Sequence, residues 1–202
     1  MLDTSHGPVS GLYQKLLGEC WSELDRTVQR LHASTMPVHA AGVFRVSAGS
    51  TWLARILARL MGLPRPAEAV DVRLVVTAQG DAEEWRRTFA RQPLVSLQAS
   101  RSDGLLLERM GRVETRFRLK VVDGALIYES VSAAFCLGRL RLRLPRWLSP
   151  RVTASERLAG EEEQLEVSVE VRLPLLGRLI AYEGRLTLIE SRVEISSEAK
   201  KC

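Results

Sequence analysis

The chain has 202 residues, a formal charge of +5 and 26% charged residues, which fits one large domain or two very small ones and argues against disorder. Of its 29 basic residues only four are lysines, and no basic-aromatic recognition motif appears, so nucleic-acid binding is not expected. Cys20, Cys136 and Cys202 are too far apart for a disulfide framework or a metal site, residues 1–10 show no signal peptide, and no apolar run approaches the ~18 residues of a membrane span; a cytoplasmic protein is expected, with peripheral membrane contact as the alternative.

Residues 1–9 are polar and are expected to be flexible. Leu12, Leu16, Leu17, Trp21, Leu24, Val28 and Leu31 recur at steps of three and four, which predicts one helix from Ser10 to His32. Val43 to Val46 reads as a strand. Ser50 or Thr51 then caps a second helix, Trp52 to Met61, stopped by Gly62 and Pro64. Only Arg55 and Arg59 interrupt the apolar surface of that helix. A helix apolar on nearly three sides has to be covered by protein or lie in a membrane interface; burial against a curved sheet is the expectation.

From Val70 the period changes to two. Val70, Val72, Leu74 and Val76 alternate with Asp71, Arg73 and Thr77, and Gly80-Asp81 marks a turn. Strands follow over 85–89, 94–100 and 105–110, with hairpin signals at Asp103-Gly104 and Asp123-Gly124. Between them 113–121 alternates cleanly, and 126–135 comes after the second hairpin. Strands over 166–173 and from Leu179 to about Glu194 complete the pattern. Residues 10–195 are expected to form a single β-rich domain, with a flexible tail over 196–202. The fold class is α+β: a strongly curved antiparallel sheet, half-barrel or barrel-like, of about eight to ten strands packed with two helices. A curled sheet of this kind can enclose an apolar cavity.

Motifs for nucleotides, nicotinamide, zinc hydrolysis and the nucleophile elbow are absent, so neither a cofactor nor a metal is expected. Carboxylates beside arginine or tyrosine remain as candidates for acid–base work, namely Glu108 next to Arg109 and Glu183 next to Tyr182, along with His32 at the end of the first helix. Arg45, Trp52, Arg109, Tyr128 and Tyr182 are the candidate ligand-binding residues. In the segment 137–148, Arg139, Arg141 and Arg143 share one strand face and Leu140, Leu142 and Leu144 the other, with Trp147 following. That pattern fits either a half-buried strand with a solvated arginine face or a cationic stripe for an anionic membrane surface.

An ordered series of short motifs runs through the chain. Leu12-Tyr13, Leu16-Leu17-Gly18 and Trp21 lead to Leu31-His32 and Gly42-x-Phe44-Arg45-Val46. The series continues through 53–64, Trp85-Arg86-Arg87, 107–111, 145–150 and 174–184. Over about residues 11 to 190 it resembles the domain of unknown function 4166 family. The resemblance implies no catalytic residue, since no activity is assigned to that family. Members similar to this chain also follow saccharopine-dehydrogenase-like or thiol-oxidoreductase-like domains, which implies that any redox function would come from a partner oxidoreductase.

Three functions compete at this stage. The leading one is a binding module for an apolar or amphipathic small molecule inside the curved sheet. The others are a cofactor-free isomerase, cyclase or hydrolase, and a protein peripherally attached to membranes.

Overall fold

The computed structural model describes residues 11–33, 37–160 and 164–189. The expected N-cap Ser10 and both expected flexible ends, 1–9 and 196–202, fall outside these residues.

Helices α1 (Leu12–Leu17) and α2 (Arg26–His32) flank a 3₁₀ turn over Gly18–Glu23. The single helix expected over 10–32 is therefore broken. Gly18 adopts φ 56°, which ends α1, and Leu24 is extended, which separates the 3₁₀ turn from α2. Strand β1 (Val38–Ala48) follows, then α3 (Trp52–Leu60), β2 (Ala67–Gln79), β3 (Ala82–Phe89), β4 (Gln92–Ser100), β5 (Leu106–Met110), β6 (Val113–Val122), β7 (Ala125–Leu137), β8 (Leu140–Arg143), β9 (Arg151–Ala159), β10 (Gln164–Leu173) and β11 (Gly177–Ile189). Asp123 and Gly124 both take positive φ, 49° and 78°, as a two-residue hairpin turn requires.

The strands form a meander in which each pairs antiparallel with the next, except that β7 pairs with both β8 and β9. The meander closes through β1 and β11, so β1–β7 and β9–β11 form a ten-stranded barrel with β8 as a flap. An even number of strands lets first and last meet antiparallel. The architecture is thus a closed barrel rather than a half-barrel, with three α-helices among the described residues instead of two. Strand β9 was not legible in the sequence: Thr153, Ser155 and Arg157 alternate with Val152, Ala154 and Glu156, and the buried Glu156 breaks the apolar pattern.

The barrel has two distinct ends. At one, α1 and α2 cap the opening and bury Tyr13, Val28, Leu31 and His32. At the other lie α3, the β7–β8–β9 excursion and the β3–β4, β5–β6 and β10–β11 turns. Helix α3 starts at Thr51, whose hydroxyl accepts from Ala54 N–H at 3.2 Å. Gly49 lets it approach β11: a Cβ there would overlap the Arg178 carbonyl and stand 2.8 Å from Ala54 Cβ.

Here the structure corrects the sequence. Helix α3 buries only Ala54 and Ala58, while Trp52 is 68% and Leu60 78% exposed. The small alanine side chains allow close packing on β11, so the large apolar residues are left facing outward. Inside the barrel, Gly184 makes room for an aromatic: a Cβ there would lie 2.6 Å from the Phe44 ring. Phe44, Phe89 and Tyr182 then pack in a cluster, with Phe89 and Tyr182 centroids 5.3 Å apart.

Candidate functional site in the barrel interior

Strand alternation decides which side chains enter the barrel. On β3 the inward set is Glu83, Trp85, Arg87 and Phe89; on β4 it includes Ser96 and Gln98; on β5, Leu106, Glu108 and Met110. Strands β7, β9 and β11 contribute Tyr128, Glu156 and Tyr182. The polar members form one connected network. Ser96 Oγ donates to Glu108 Oε1 at 2.6 Å, and Gln98 Nε2 donates to the same oxygen at 3.2 Å. Arg87 donates to Ser96 Oγ at 3.0 Å, with its other terminal nitrogen 3.6 Å from Glu108. Tyr13 hydroxyl donates to Gln98 Oε1 at 2.6 Å and accepts from Tyr128 hydroxyl at 3.2 Å.

The network ends at the cap. His32 Nε2 lies 2.6 Å from Glu156 Oε2 and 3.4 Å from Tyr128 hydroxyl, and the His32 ring packs 3.8 Å from the Tyr13 ring. His32 Nδ1 is buried without a partner among the described residues. Burial raises the phenols of Tyr13 and Tyr128 well above their usual range, and the Glu156 carboxylate pushes both the same way. Burial is the largest single influence on Arg87 and opposes its charge, but Glu108, Tyr182, Tyr13 and Glu156 together outweigh it and hold the guanidinium above its ordinary value. Arg87 also lies 5.1 Å from the Trp85 ring centroid, within cation–π range.

A cavity of about 120 Å³ runs through this interior, from Leu31 at the cap to Met61, Met110 and Pro150 at the opposite rim. Most of its wall is apolar, with Arg87, Glu108 and Gln98 as convergent polar groups. Arg87 and Glu108 keep 19% and 21% of their side-chain surface accessible, so the pair is partly presented to the space.

The residues singled out from sequence separate by strand parity. Glu108, Tyr128 and Tyr182 line the cavity. Arg109 and Glu183, their neighbours in sequence, point outward and are exposed, as successive strand residues must. Arg45 is likewise outside, paired with Glu68 at 3.1 Å. Trp52 is on the exposed face of α3, and His32 lies behind the cavity wall, locked to Glu156. Arg141 pairs with the buried Glu114, whereas Arg139, Arg143 and Trp147 are exposed and show no ion pair or ring contact among the described residues. Arg87, Gln98 and Glu156 were missed. Arg87 could have been found by extending the period-two reading of β3 through Glu83, Trp85 and Phe89.

The profile of the family described as "Domain of unknown function (DUF4166)" matches residues 24–186. The chain belongs to the DUF4166 family. The matched stretch starts at the end of the 3₁₀ turn and ends within the closing strand, so all ten barrel strands contribute to it. Comparison with curated proteins and with solved structures gives no match. The DUF4166 barrel therefore has to be read from its own geometry. Among the described residues no helix is long and apolar enough to cross a membrane.

Proposed function

We propose that this DUF4166 barrel binds a small amphipathic molecule whose polar end meets Arg87 and Glu108. The observation that carries this reading is the apolar cavity with one partly accessible ion pair in its wall. The volume sets the size. At about 120 Å³ it is below the ~300 Å³ of drug-sized pockets, so a long acyl chain does not fit, but it is close to the roughly 150 Å³ engineered cavity that holds benzene. The charge sets the chemistry. Glu83, Glu108 and Glu156 face inward against Arg87, so a further buried anion is disfavoured. A hydroxyl or amide suits the pair better, because it can accept from Arg87 and donate to Glu108.

The test uses benzyl alcohol, toluene and benzoate as probes, followed by calorimetry and by chemical-shift changes in the interior. Benzyl alcohol is expected to bind more tightly than either of the others. Ala154→Phe, which fills the cavity, should abolish the binding. Mass spectrometry of a solvent extract of the purified chain should reveal any molecule carried through purification. If no probe perturbs interior resonances and the extract is empty, the reading fails.

The same pair favours a second reading, a cofactor-free enzyme in which Glu108 acts as a base on a substrate polarised by Arg87. It differs from the first in one observable: an extracted molecule would be chemically converted on incubation, and Glu108→Gln would stop the conversion.

A further inference from the structure

The connections at the rim end of the barrel are residues 49–66, 90–91, 111–112, 138–150 and 174–176. Together they carry nine arginines and not one aspartate or glutamate. The described connections at the capped end that join β2 to β3, β4 to β5 and β6 to β7 are of opposite character: Asp81, Asp103 and Asp123 against Arg101. The barrel is therefore polarised along its axis. The rim end also bears the large exposed apolar side chains Trp52, Ile56, Leu60, Leu142, Trp147 and Leu175. Both faces of β8 are exposed, leucines as well as arginines, so its alternation does not come from half-burial.

We propose that the rim end of the barrel docks on the surface of an anionic lipid bilayer. Tryptophan and leucine interleaved with arginine, on elements too short to span, match what an interfacial segment needs: apolar groups inserted at headgroup depth and cations above them. A nucleic acid would be gripped by the arginines but offers nothing to exposed leucine and isoleucine. Between α3 and the β3–β4 turn, Arg59, Arg65 and Arg91 line a surface cleft with Gln92. None of these three arginines has an ion-pair partner among the described residues, which leaves them free for lipid phosphates. Leu63 and Phe89 line both that cleft and the interior cavity, so the docking face adjoins the barrel's contents. The proposal goes beyond the ligand reading and does not depend on it.

The test is sedimentation of the full chain with vesicles of phosphatidylcholine alone and of phosphatidylcholine mixed with phosphatidylglycerol, at low and high salt. Binding is expected only to the mixed vesicles and should weaken as salt rises. Replacing Arg139, Arg143 and Arg146 together by glutamine should weaken it by about fivefold per residue. Trp52→Ala with Trp147→Ala should weaken it further and remove the blue shift of tryptophan fluorescence on binding. All five positions are exposed, and an unchanged thermal melt would show that the variants fold. The proposal would be overturned by no binding to mixed vesicles at low salt, by equal binding to both vesicle types, or by self-association that Leu60→Ser abolishes. Displacement from mixed vesicles by an equal charge of single-stranded oligonucleotide would overturn it in favour of nucleic acid. Vesicle binding is read without reference to the cavity, so failure here leaves the small-molecule proposal standing, and the reverse holds too.

Discussion

His32 Nε2 meets Glu156 Oε2 at 2.6 Å, with the histidine side chain fully buried. The contact ties the last residue of α2 to the middle of β9 and so holds the cap in the barrel mouth. Truncating His32 to alanine leaves a buried carboxylate unpaired and is expected to cost about 3 kcal/mol. Glu156→Gln keeps a hydrogen-bonding partner and should cost about 1 kcal/mol. Denaturant titrations of the two variants check the order; equal losses would mean that the contact does not hold the cap.

The chain has three tyrosines, Tyr13, Tyr128 and Tyr182, and burial raises the pKa of all of them. The native protein should therefore show no phenolate absorbance as pH passes the ordinary phenol value of 10.0. The unfolded chain ionises there, so stability from these groups is complete below that value and is lost as pH rises above it. Ultraviolet titration should give a single late step that coincides with loss of circular dichroism. A separate step near the ordinary value, with the fold intact, would place one phenol in water.

On the outer surface the sign is opposite. The hydrogen bond from Arg178, at 2.7 Å, holds the Glu170 carboxyl below its usual range, with a smaller contribution from Arg172. Its contribution to stability is present above the unfolded carboxylate value and is lost as pH falls through the lowered one. Because the pair is at the surface, the effect should be under about 1 kcal/mol. Carbon-detected NMR titration should show the Glu170 midpoint moving up in Arg178→Gln.

The orientation of α3 makes a paired prediction. Ile56→Ser and Leu60→Ser, on the exposed face, should change stability by no more than about 0.5 kcal/mol. Ala54→Leu, at a position with no exposed surface, should cost about 1–3 kcal/mol through overpacking. Thermal melts distinguish the two faces, and a large loss in Leu60→Ser would mean that the helix is covered.

How much of this was legible depends on which physical signal each part uses. Period-two alternation marked most strands, because half-buried strands must alternate, and Asp123-Gly124 fixed its hairpin because few other dipeptides tolerate positive φ at both positions. Closure was not legible, because it depends on β1 meeting β11 across the chain. The site was legible only through Glu108, Tyr128 and Tyr182. Arg87 and Glu156 look like surface residues in sequence, and only their position inside the barrel gives them partners. The exposed face of α3 misled because apolar content says nothing about which side packs. Ala54 and Ala58, the small residues, mark the packed side, and their spacing of four was the available clue.

The pairing of residues 39–48 with 180–189 has a consequence for biosynthesis. Every other strand finds its partner close by in the chain, but the seam needs the last strand. A nascent chain emerging from the ribosome can lay down hairpins in turn, yet its inner surface stays open to water until β11 is out. Folding should then be dominated by this one long-range loop closure, in the slow regime of non-local β topologies. A chain cut short before residue 177 would keep two unpaired strand edges and would be prone to join with other copies of itself.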